Sequence, residues 1–323
     1  MKLGLLTSCL GWLSLGEVAE WASRTGYEAL EVAAWPVGSK HIHQAAHVDV
    51  ADLAEDGARE IRTMLDRHGL SVPALTYCEN NLHDNSDERR RIQGHLHSVI
   101  DAASRLGVPR VCTFIGRDAT LSARENLELA EQEFPPIVKH AEQVGVQMLI
   151  ENCPMEGWSP DGYPGNLAYS PELWDWMATL GLKLTYDPSH LPWLGIDPLD
   201  ALKEALDKDL VVHVQAKDIE IDEQARTRYG VFGKTVSRTR GTDVGWWKYR
   251  VPGRGQIDWN RIIDTLYSSG YNGTIAVEHE DPIWGGTLAK TLTGLEIAYQ
   301  TLRPFLAFPE SQGRGAMDGN PGQ

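Results

Sequence analysis

Short apolar runs alternate with longer amphipathic segments along most of the chain. The runs are nearly continuous in apolar residues, a pattern typical of strands that helices cover on both faces. We predict eight strands from them: Leu3–Thr7, Ala29–Ala33, Val72–Tyr77, Arg110–Phe114, Gln147–Glu151, Lys183–Asp187, Leu210–Gln215 and Thr274–Glu278.

Helix-start and helix-stop signals lie between these runs. Ser14 with Glu17, and Ser122 with Glu125, have the spacing of a capping box, and Ser170 precedes a first-turn proline. Amphipathic spacing predicts further helices over Asp49–His68, Glu88–Leu106, Pro198–Leu206, Trp259–Ser268 and Thr287–Leu302. A glycine suited to a helix C-cap precedes six of the strands: Gly26, Gly69, Gly107, Gly145, Gly181 and Gly270.

Eight strand–helix units in alternation predict an α/β fold in which a parallel sheet closes into a (β/α)8 TIM barrel. A doubly wound open sheet is the alternative, but no glycine-rich dinucleotide fingerprint follows the first strand. The 323 residues suit one such barrel with insertions. We expect a single domain over 1–308, active-site loops at 153–169 and 219–256, and a loose polar tail at 309–323.

The formal net charge of −15 disfavours nucleic acid and anionic lipid as partners. No apolar run approaches the roughly 18 residues of a membrane span, and we interpret the N-terminus as the first strand rather than a signal peptide. We therefore expect a cytoplasmic protein whose partner is a small molecule. A homo-oligomer is also compatible with the sequence. The four cysteines show no CxxC spacing, which disfavours a thiolate zinc site.

Polar residues end four consecutive apolar runs. Glu151, Asp187, His213 and Glu278 lie at the carboxyl ends of strands five to eight, the face that carries active sites in barrels. Burying three carboxylates together is costly unless a cation neutralises them. We therefore predict one divalent metal ion. The oxygen-rich donor set favours Mn²⁺, with Mg²⁺, Co²⁺ or Zn²⁺ as alternatives. Taken singly, each residue could equally be a solvated loop carboxylate or a hydrogen-bonded core histidine.

Five segments resemble the sugar phosphate isomerase/epimerase superfamily, the xylose-isomerase-like barrels that include ketose 3-epimerases, inosose dehydratases and, more distantly, endonuclease IV. They are Ile150–Met155, Tyr186–His190, His213–Asp218, Val251–Trp259 and Val277–Asp281. The resemblance covers most of the chain and implies the same four metal ligands. It is not specific for a substrate.

One position departs from the family pattern. Relatives often have a second histidine where this chain has Gln215, so the assignment of His213 assumes that the first histidine is the ligand. If Gln215 occupies the ligand position instead, the site would be weaker. The additional histidine ligands of endonuclease IV are not evident, and the acidic charge argues against DNA.

The resemblance also implies a reaction. In ketose 3-epimerases the metal stabilises an enediolate, and the two glutamate ligands transfer protons on opposite faces of the sugar. Glu151 and Glu278 would have that role here. His190 resembles the superfamily histidine that binds a substrate hydroxyl or shuttles a proton, with support of Asp187 as its structural alternative.

Further residues are candidates for substrate binding. Lys217 could contact a substrate oxygen or instead pair with Asp218 or Glu280, and Arg254 lies in a glycine-flanked turn that could reach over a pocket. His47, Asn81 and Arg117 lie near the ends of strands two to four. Aromatic residues of the loops could stack on a sugar ring or pack a lid: Trp35, Trp158, Tyr163, Trp193, Trp246 and Trp247.

The sequence thus favours a divalent-metal-dependent isomerase or epimerase of a keto sugar or related polyol. The alternative is a lyase or dehydratase that acts on an oxidised sugar such as a 3-keto-glycoside or an inosose, because the same enolate can expel a group from the β-carbon. A barrel that merely binds a sugar is disfavoured by the full set of ligand types.

Overall fold

The computed structural model describes residues 1–39, 43–155, 164–238 and 243–306. Eight parallel strands form a closed barrel, in the order β1-β10-β7-β6-β5-β4-β3-β2. The strands are β1 (Lys2–Leu6), β2 (Ala29–Ala33), β3 (Leu75–Thr76), β4 (Arg110–Thr113), β5 (Gln147–Glu151), β6 (Lys183–Tyr186), β7 (Val211–Ala216) and β10 (Thr274–Val277). The predicted TIM barrel is confirmed, and each predicted strand contributes to it.

Helices connect the strands and cover the outside of the barrel. They are α1 (Leu15–Thr25), α2 (Glu55–Arg67), α3 (Ser86–Leu106), α4 (Ala123–Gln143), α5 (Pro171–Ala178), α6 (Pro198–Asp207), α7 (Glu223–Tyr229), α8 (Trp259–Ser268) and α9 (Leu288–Leu302). Among the described residues, no helix is both long and apolar enough to span a membrane.

The capping signals in the sequence form as predicted. Ser14 and Glu17 make a reciprocal capping box at the start of α1, and Ser122 and Glu125 do the same for α4. The six glycines that precede strands all have a positive φ, between 67° and 105°. That left-handed conformation ends a helix at little cost in a residue without a Cβ.

Two predicted elements are shorter in the structure by more than one residue. The helix predicted from Asp49 begins at Glu55, because the preceding loop packs Val50 and Leu53 into the core. Strand β3 has two residues rather than six. Pro73 lies within the predicted strand and lacks the N–H that a ladder needs, which limits the pairing there.

The insertion after β7 is partly ordered. Strands β8 (Asp218–Ile221) and β9 (Trp247–Arg250) form an antiparallel pair outside the barrel, and α7 lies between them. Asp218 fixes its base, accepting hydrogen bonds from the backbone N–H groups of Gly253 (3.0 Å) and Ile257 (2.9 Å) and from the indole of Trp259 (3.1 Å). The insertion is therefore anchored beside the carboxyl ends of the strands.

Candidate active site

Three carboxylates meet at the barrel mouth. Glu151 ends β5, Asp187 follows β6 and Glu278 follows β10, and their side chains are buried. One carboxylate oxygen from each lies within 4.8 Å of those of the other two. Three of the four residues predicted as metal ligands are thus brought together.

An ammonium group lies among these carboxylates. Lys217 follows β7 and is 1% exposed, and its Nζ is 3.2 Å from Asp187 Oδ2, 3.0 Å from Glu278 Oε2 and 3.0 Å from Glu280 Oε2. The same Nζ lies 4.6 Å from the centre of the Tyr249 ring. Lys217 was predicted to bind substrate, and the structure places it within the carboxylate cluster at the cavity.

Sequence reasoning named Glu280 only as an ion-pair partner of Lys217, whereas the structure makes it a fourth carboxylate of the site. It lies two residues beyond Glu278, and the two-residue period of an extended chain would have put both on one side.

Charge and burial compete at these groups. Burial raises the pKa of Glu278 well above its usual range, against the effect of Lys217. Burial would also raise the pKa values of Asp187 and Glu280, but the adjacent ammonium of Lys217 lowers both to about 2. The carboxylates together raise the pKa of Lys217, overcoming its own burial. The cluster therefore stabilises positive charge strongly.

His190 connects the carboxylates to the insertion. Its Nε2 is 3.2 Å from both Glu151 Oε1 and Asp187 Oδ2, and its Nδ1 is 2.7 Å from the hydroxyl of Tyr249. The imidazole is fully buried. Sequence reasoning missed Tyr249, which lies on β9, 59 residues from His190. No local signal in the sequence brings the two together.

The structure does not place His213 in the carboxylate cluster. Its side chain points into the barrel below the mouth, where Nε2 is 2.8 Å from Glu31 Oε2. Gln215 Nε2 donates to the other oxygen of Glu31 at 3.0 Å, and Thr76 Oγ1 also bonds that oxygen. The prediction assumed that the first histidine of this segment is the ligand, but His213 lies three residues before the end of β7 and two residues deeper than Gln215.

Two residues predicted to bind substrate form hydrogen bonds within the protein, although Oδ1 of Asn81 is buried without a hydrogen-bond partner. The amide nitrogen of Asn81 donates to Thr113 Oγ1 (3.0 Å) and to the Phe114 carbonyl (2.7 Å), and the side chain is fully buried. His47 bonds Thr7 Oγ1 at 2.8 Å and the Leu13 carbonyl at 3.2 Å. Both hold the ends of neighbouring strands in place, and neither lines the cavity.

The two predicted arginines also lie away from the cavity among the described residues. Arg117 donates through Nη1 to the Pro164 carbonyl at 3.4 Å. Arg254 is exposed, in the turn that follows β9. The turn closes through its backbone, where the Arg254 N–H donates to the Val251 carbonyl at 3.0 Å.

A cavity of about 1100 Å³ opens above the carboxylates. The insertion forms one wall, where the ring of Trp247 stacks at 4.8 Å on that of Trp193 from the segment that follows β6. Its described charged lining is acidic in balance, with three lysines (Lys217, Lys234 and Lys248) against Glu151, Glu220, Asp222, Asp243, Glu278 and Glu280. Trp35 and Trp246 also line the cavity. Trp158 and Tyr163 lie outside the described residues, as do parts of both predicted active-site loops and the predicted tail.

The donor chemistry of the cluster fits a divalent cation. Asp187 Oδ2 and Glu278 Oε2 are buried and make no hydrogen bond, although both lie near Lys217. Cys78 Sγ lies 3.5 Å from Glu151 Oε2, and Cys112 is close to both. Burial raises the pKa of each thiol, which keeps these sulfurs protonated in the absence of a metal ion.

Two curated proteins with similar sequences cover different shares of the chain. An uncharacterised protein, YfiH of Bacillus subtilis, is 25% identical over 303 residues, which are 87% of this chain and 93% of that protein. The inosose dehydratase of Geobacillus thermodenitrificans is 31% identical over 102 residues, which are 31% of this chain and 32% of that enzyme.

Solved structures share the fold at low identity. The IolI protein with a bound zinc atom has a TM-score of 0.67 at 16% identity, covering 95% of this chain and 100% of that one. D-psicose 3-epimerase with D-fructose has a TM-score of 0.65 at 15% identity, covering 94% and 99%. The Escherichia coli 3-keto-D-glucoside 4-epimerase YcjR has a TM-score of 0.64 at 13% identity, covering 94% of this chain and 99% of that one.

A family model described as a xylose isomerase-like TIM barrel matches residues 19–301. The match includes the strand ends that carry Glu151, Asp187, Lys217 and Glu278. The chain therefore belongs to the xylose isomerase-like TIM barrel family.

Proposed function

We propose that this protein is a divalent-metal-dependent isomerase or epimerase of a keto sugar or a related polyol. The observation that carries the proposal is the group of three buried carboxylates, Glu151, Asp187 and Glu278, whose oxygens converge at the mouth of the barrel. The family supports the same proposal, because its relatives include epimerases and dehydratases of sugars and polyols.

These three residues would hold the metal ion, with Mn²⁺ favoured and Mg²⁺, Co²⁺ or Zn²⁺ as alternatives. Bound there, the ion supplies Lewis acidity for a substrate carbonyl and for the enediolate that forms from it. The IolI relative holds zinc in its solved structure. For this chain, the oxygen-rich donor set favours a harder ion.

Glu151 and Glu278 would transfer the protons. Strands β5 and β10 are separated in the barrel by β6 and β7, so the two carboxylates approach the centre of the mouth from different sides. One can remove a proton from a carbon while the other returns a proton to the opposite face. Inversion at a carbon next to a carbonyl requires that arrangement.

Neighbouring groups would support this transfer. His190 joins Glu151 to the Tyr249 hydroxyl, and Tyr249 lines the cavity, so the pair offers a path for a proton between the base and the substrate. Lys217 would stabilise negative charge that develops on a substrate oxygen. Glu280 holds the ammonium of Lys217 at 3.0 Å.

The cavity favours an uncharged substrate. Its described lining has six carboxylates against three lysines, which opposes binding of a phosphorylated sugar. Its aromatic wall offers flat apolar surface to the face of a sugar ring. Two structural relatives are named for reactions on D-psicose and on a 3-keto-D-glucoside, both of which carry a carbonyl group.

A second candidate function is elimination from an oxidised glycoside or an inosose. The cavity volume of about 1100 Å³ lies slightly above the roughly 300–1000 Å³ of small-molecule pockets, which leaves room beside a single sugar for an aglycone. The sequence match to an inosose dehydratase points to the same chemistry. Proton abstraction by the same base would then be followed by loss of a β-oxygen.

Incubation with ketohexoses and with 3-keto-glucosides in D₂O tests both functions. Metal-loaded protein that incorporates one deuterium and leaves the carbon skeleton intact is an epimerase or isomerase. Release of water or of the aglycone identifies a lyase. Protein that retains no metal after dialysis and leaves every substrate unchanged contradicts both proposals.

Substitution of the proposed acid and base gives the matching genetic test. Glu151→Gln and Glu278→Gln should each lower kcat by about 10²–10⁴-fold, the usual contribution of a general acid or base. Glu128→Gln, an exposed position on α4, is the matched control and should leave kcat unchanged. A Glu278→Gln variant with full activity would remove Glu278 from the mechanism.

A further inference from the structure

Strand β7 presents two polar side chains to the inside of the barrel, His213 and Gln215. The two-residue period of a strand puts both on one face. Thr185 pairs with His213 and Tyr186 with Val214, so the next position on each strand sets Asp187 level with Gln215. His213 is therefore two residues deeper in the barrel than Asp187, level with Thr185, whereas Gln215 is level with Asp187.

The orientation of the Gln215 amide is fixed by its contact below. Its nitrogen lies 3.0 Å from Glu31 Oε1, and a carboxylate only accepts hydrogen bonds, so the NH₂ group must face Glu31. Oε1 is on the other arm of the amide and faces away from Glu31. It is fully buried and has no hydrogen-bond partner.

An unpaired amide oxygen in the interior is costly, and a cation is one partner that removes the cost. Glu31 also accepts from His213 at 2.8 Å. The carboxylate thereby ties the two side chains of β7 together and holds the Gln215 amide in one orientation. This is the arrangement by which an outer carboxylate orients a metal ligand.

Resting on the metal dependence proposed above, we propose that Gln215, through Oε1, is the fourth protein ligand and that His213 is not a ligand. Glu151, Asp187, Gln215 and Glu278 then form an all-oxygen donor set. Carboxylate and carbonyl oxygens suit Mg²⁺ and Mn²⁺, whereas imidazole suits Zn²⁺. This site should therefore favour Mn²⁺ over Zn²⁺ more strongly than a histidine-containing site of the same shape would.

His213 is the competing ligand. Its Nδ1 is buried and unpaired, and a carboxylate on the other ring nitrogen is typical of ligating histidines. The position argues against it, because neither ring nitrogen joins the group of carboxylate oxygens that lie within 4.8 Å of one another. The chemistry of the fourth donor, nitrogen or oxygen, separates the two assignments.

Pulsed EPR of the full chain loaded with Mn²⁺ reads that donor directly. We expect no ¹⁴N coupling of a coordinated imidazole in the wild-type protein, and none in His213→Gln. In Gln215→His the coupling should appear. A wild-type coupling that disappears in His213→Gln would assign the site to His213 and overturn the inference.

Equilibrium metal binding supplies an independent measurement. Gln215→Leu should weaken Mn²⁺ binding by at least the roughly 10–100-fold that loss of an outer-shell partner costs. Gln215→His should shift the Zn²⁺/Mn²⁺ affinity ratio toward Zn²⁺, a gain that a misfolded variant could not show. His213→Gln should change the Mn²⁺ affinity less than Gln215→Leu does, with circular dichroism checking the fold of all three.

The possible failures are distinguishable. Wild-type protein that binds Mn²⁺, with an affinity that Gln215→Leu leaves unchanged, overturns the Gln215 assignment and leaves the proposed function standing. Wild-type protein that binds no divalent cation overturns both.

Discussion

The two halves of the barrel mouth carry polar residues in similar sequence positions but use them differently. At the ends of the first four barrel strands, His47 and Asn81 form hydrogen bonds to neighbouring backbone and hydroxyl groups. At the ends of β5, β6 and β10, Glu151, Asp187 and Glu278 face one another. The first half secures the loops, and the second half concentrates charge.

The difference follows from the chemistry of the side chains. The NH₂ group of an amide or a neutral imidazole is satisfied by one or two nearby hydrogen-bond acceptors or donors, as in Asn81 and His47, while Oδ1 of Asn81 stays unpaired. A carboxylate buried beside other carboxylates is not satisfied in that way and requires a cation. A set of like charges at adjacent strand ends is therefore stronger evidence for a functional site than a set of neutral polar residues.

The largest effect on stability should come from removing the ammonium of the charged half. Lys217→Met leaves Asp187, Glu278 and Glu280 without their shared cation, and loss of one partner of a buried ion pair costs about 3–5 kcal/mol. Denaturation in the presence of a chelator measures this, and added Mn²⁺ should restore part of the loss.

Lys248→Met is the control for that variant. Lys248 pairs with Glu220 at 2.7 Å, but its side chain is 42% exposed, so its loss should cost less than about 1 kcal/mol. Equal destabilisation by the two variants would show that the carboxylate cluster does not depend on Lys217.

Asn81→Ala tests the neutral half. Its buried amide holds the end of β4, and we expect a loss of about 1–3 kcal/mol in the free energy of unfolding. KM should not change, because the side chain does not line the cavity. Asn260→Ala, at an exposed position on α8, should stay within about 0.5 kcal/mol. A raised KM at unchanged stability would restore the role in substrate binding that the sequence predicted.

The stability of this half should also depend on pH. Burial lowers the pKa of His47 below its ordinary value of 6.5, so the unfolded chain takes up this proton at a higher pH than the folded protein does. The His47 contribution to stability is complete above about pH 6.5 and is lost as the pH falls below it.

In His47→Gln the free energy of unfolding should decline less steeply with falling pH than in the wild type. The difference in slope should correspond to the uptake of at most one proton on unfolding. Denaturation curves collected between pH 7.5 and pH 5 on both proteins measure the slopes, with the chelator present throughout. A steeper decline in the variant would contradict the assignment.

The smallest effect should come from Arg254→Gln. The side chain is exposed and the turn closes through its backbone, so stability should change by less than about 0.5 kcal/mol and KM should be unaltered. A clear rise in KM at unchanged stability would show that Arg254 reaches the substrate, as its glycine-flanked turn suggested.

The fold was predictable because its signals are local. Buried strands appear as apolar runs, helix starts as capping boxes and helix ends as glycines, and each depends on residues only a few positions apart. The exceptions are elements that depend on tertiary packing, such as the loop before α2, where Val50 and Leu53 enter the core.

The candidate site was predictable to the extent that strand ends converge in a barrel. That rule placed Glu151, Asp187 and Glu278 together, because parallel strands end on one face. It could not give the depth at which His213 points, which the pairing of β6 with β7 sets. Nor could it bring Tyr249 to His190, since the contact depends on how the insertion folds back over the mouth.

The sequence by itself thus determined the closed barrel, the family and the strand ends that carry charge, because periodicity and strand order are properties of the chain. Tertiary structure decided which polar side chains are bonded within the protein and which face the cavity. It separated Asn81 and His47 from the carboxylates, and it set His213 two residues deeper in the barrel than Gln215. The reason is that a buried polar atom is defined by its partners in space, and these come from strands far apart in sequence.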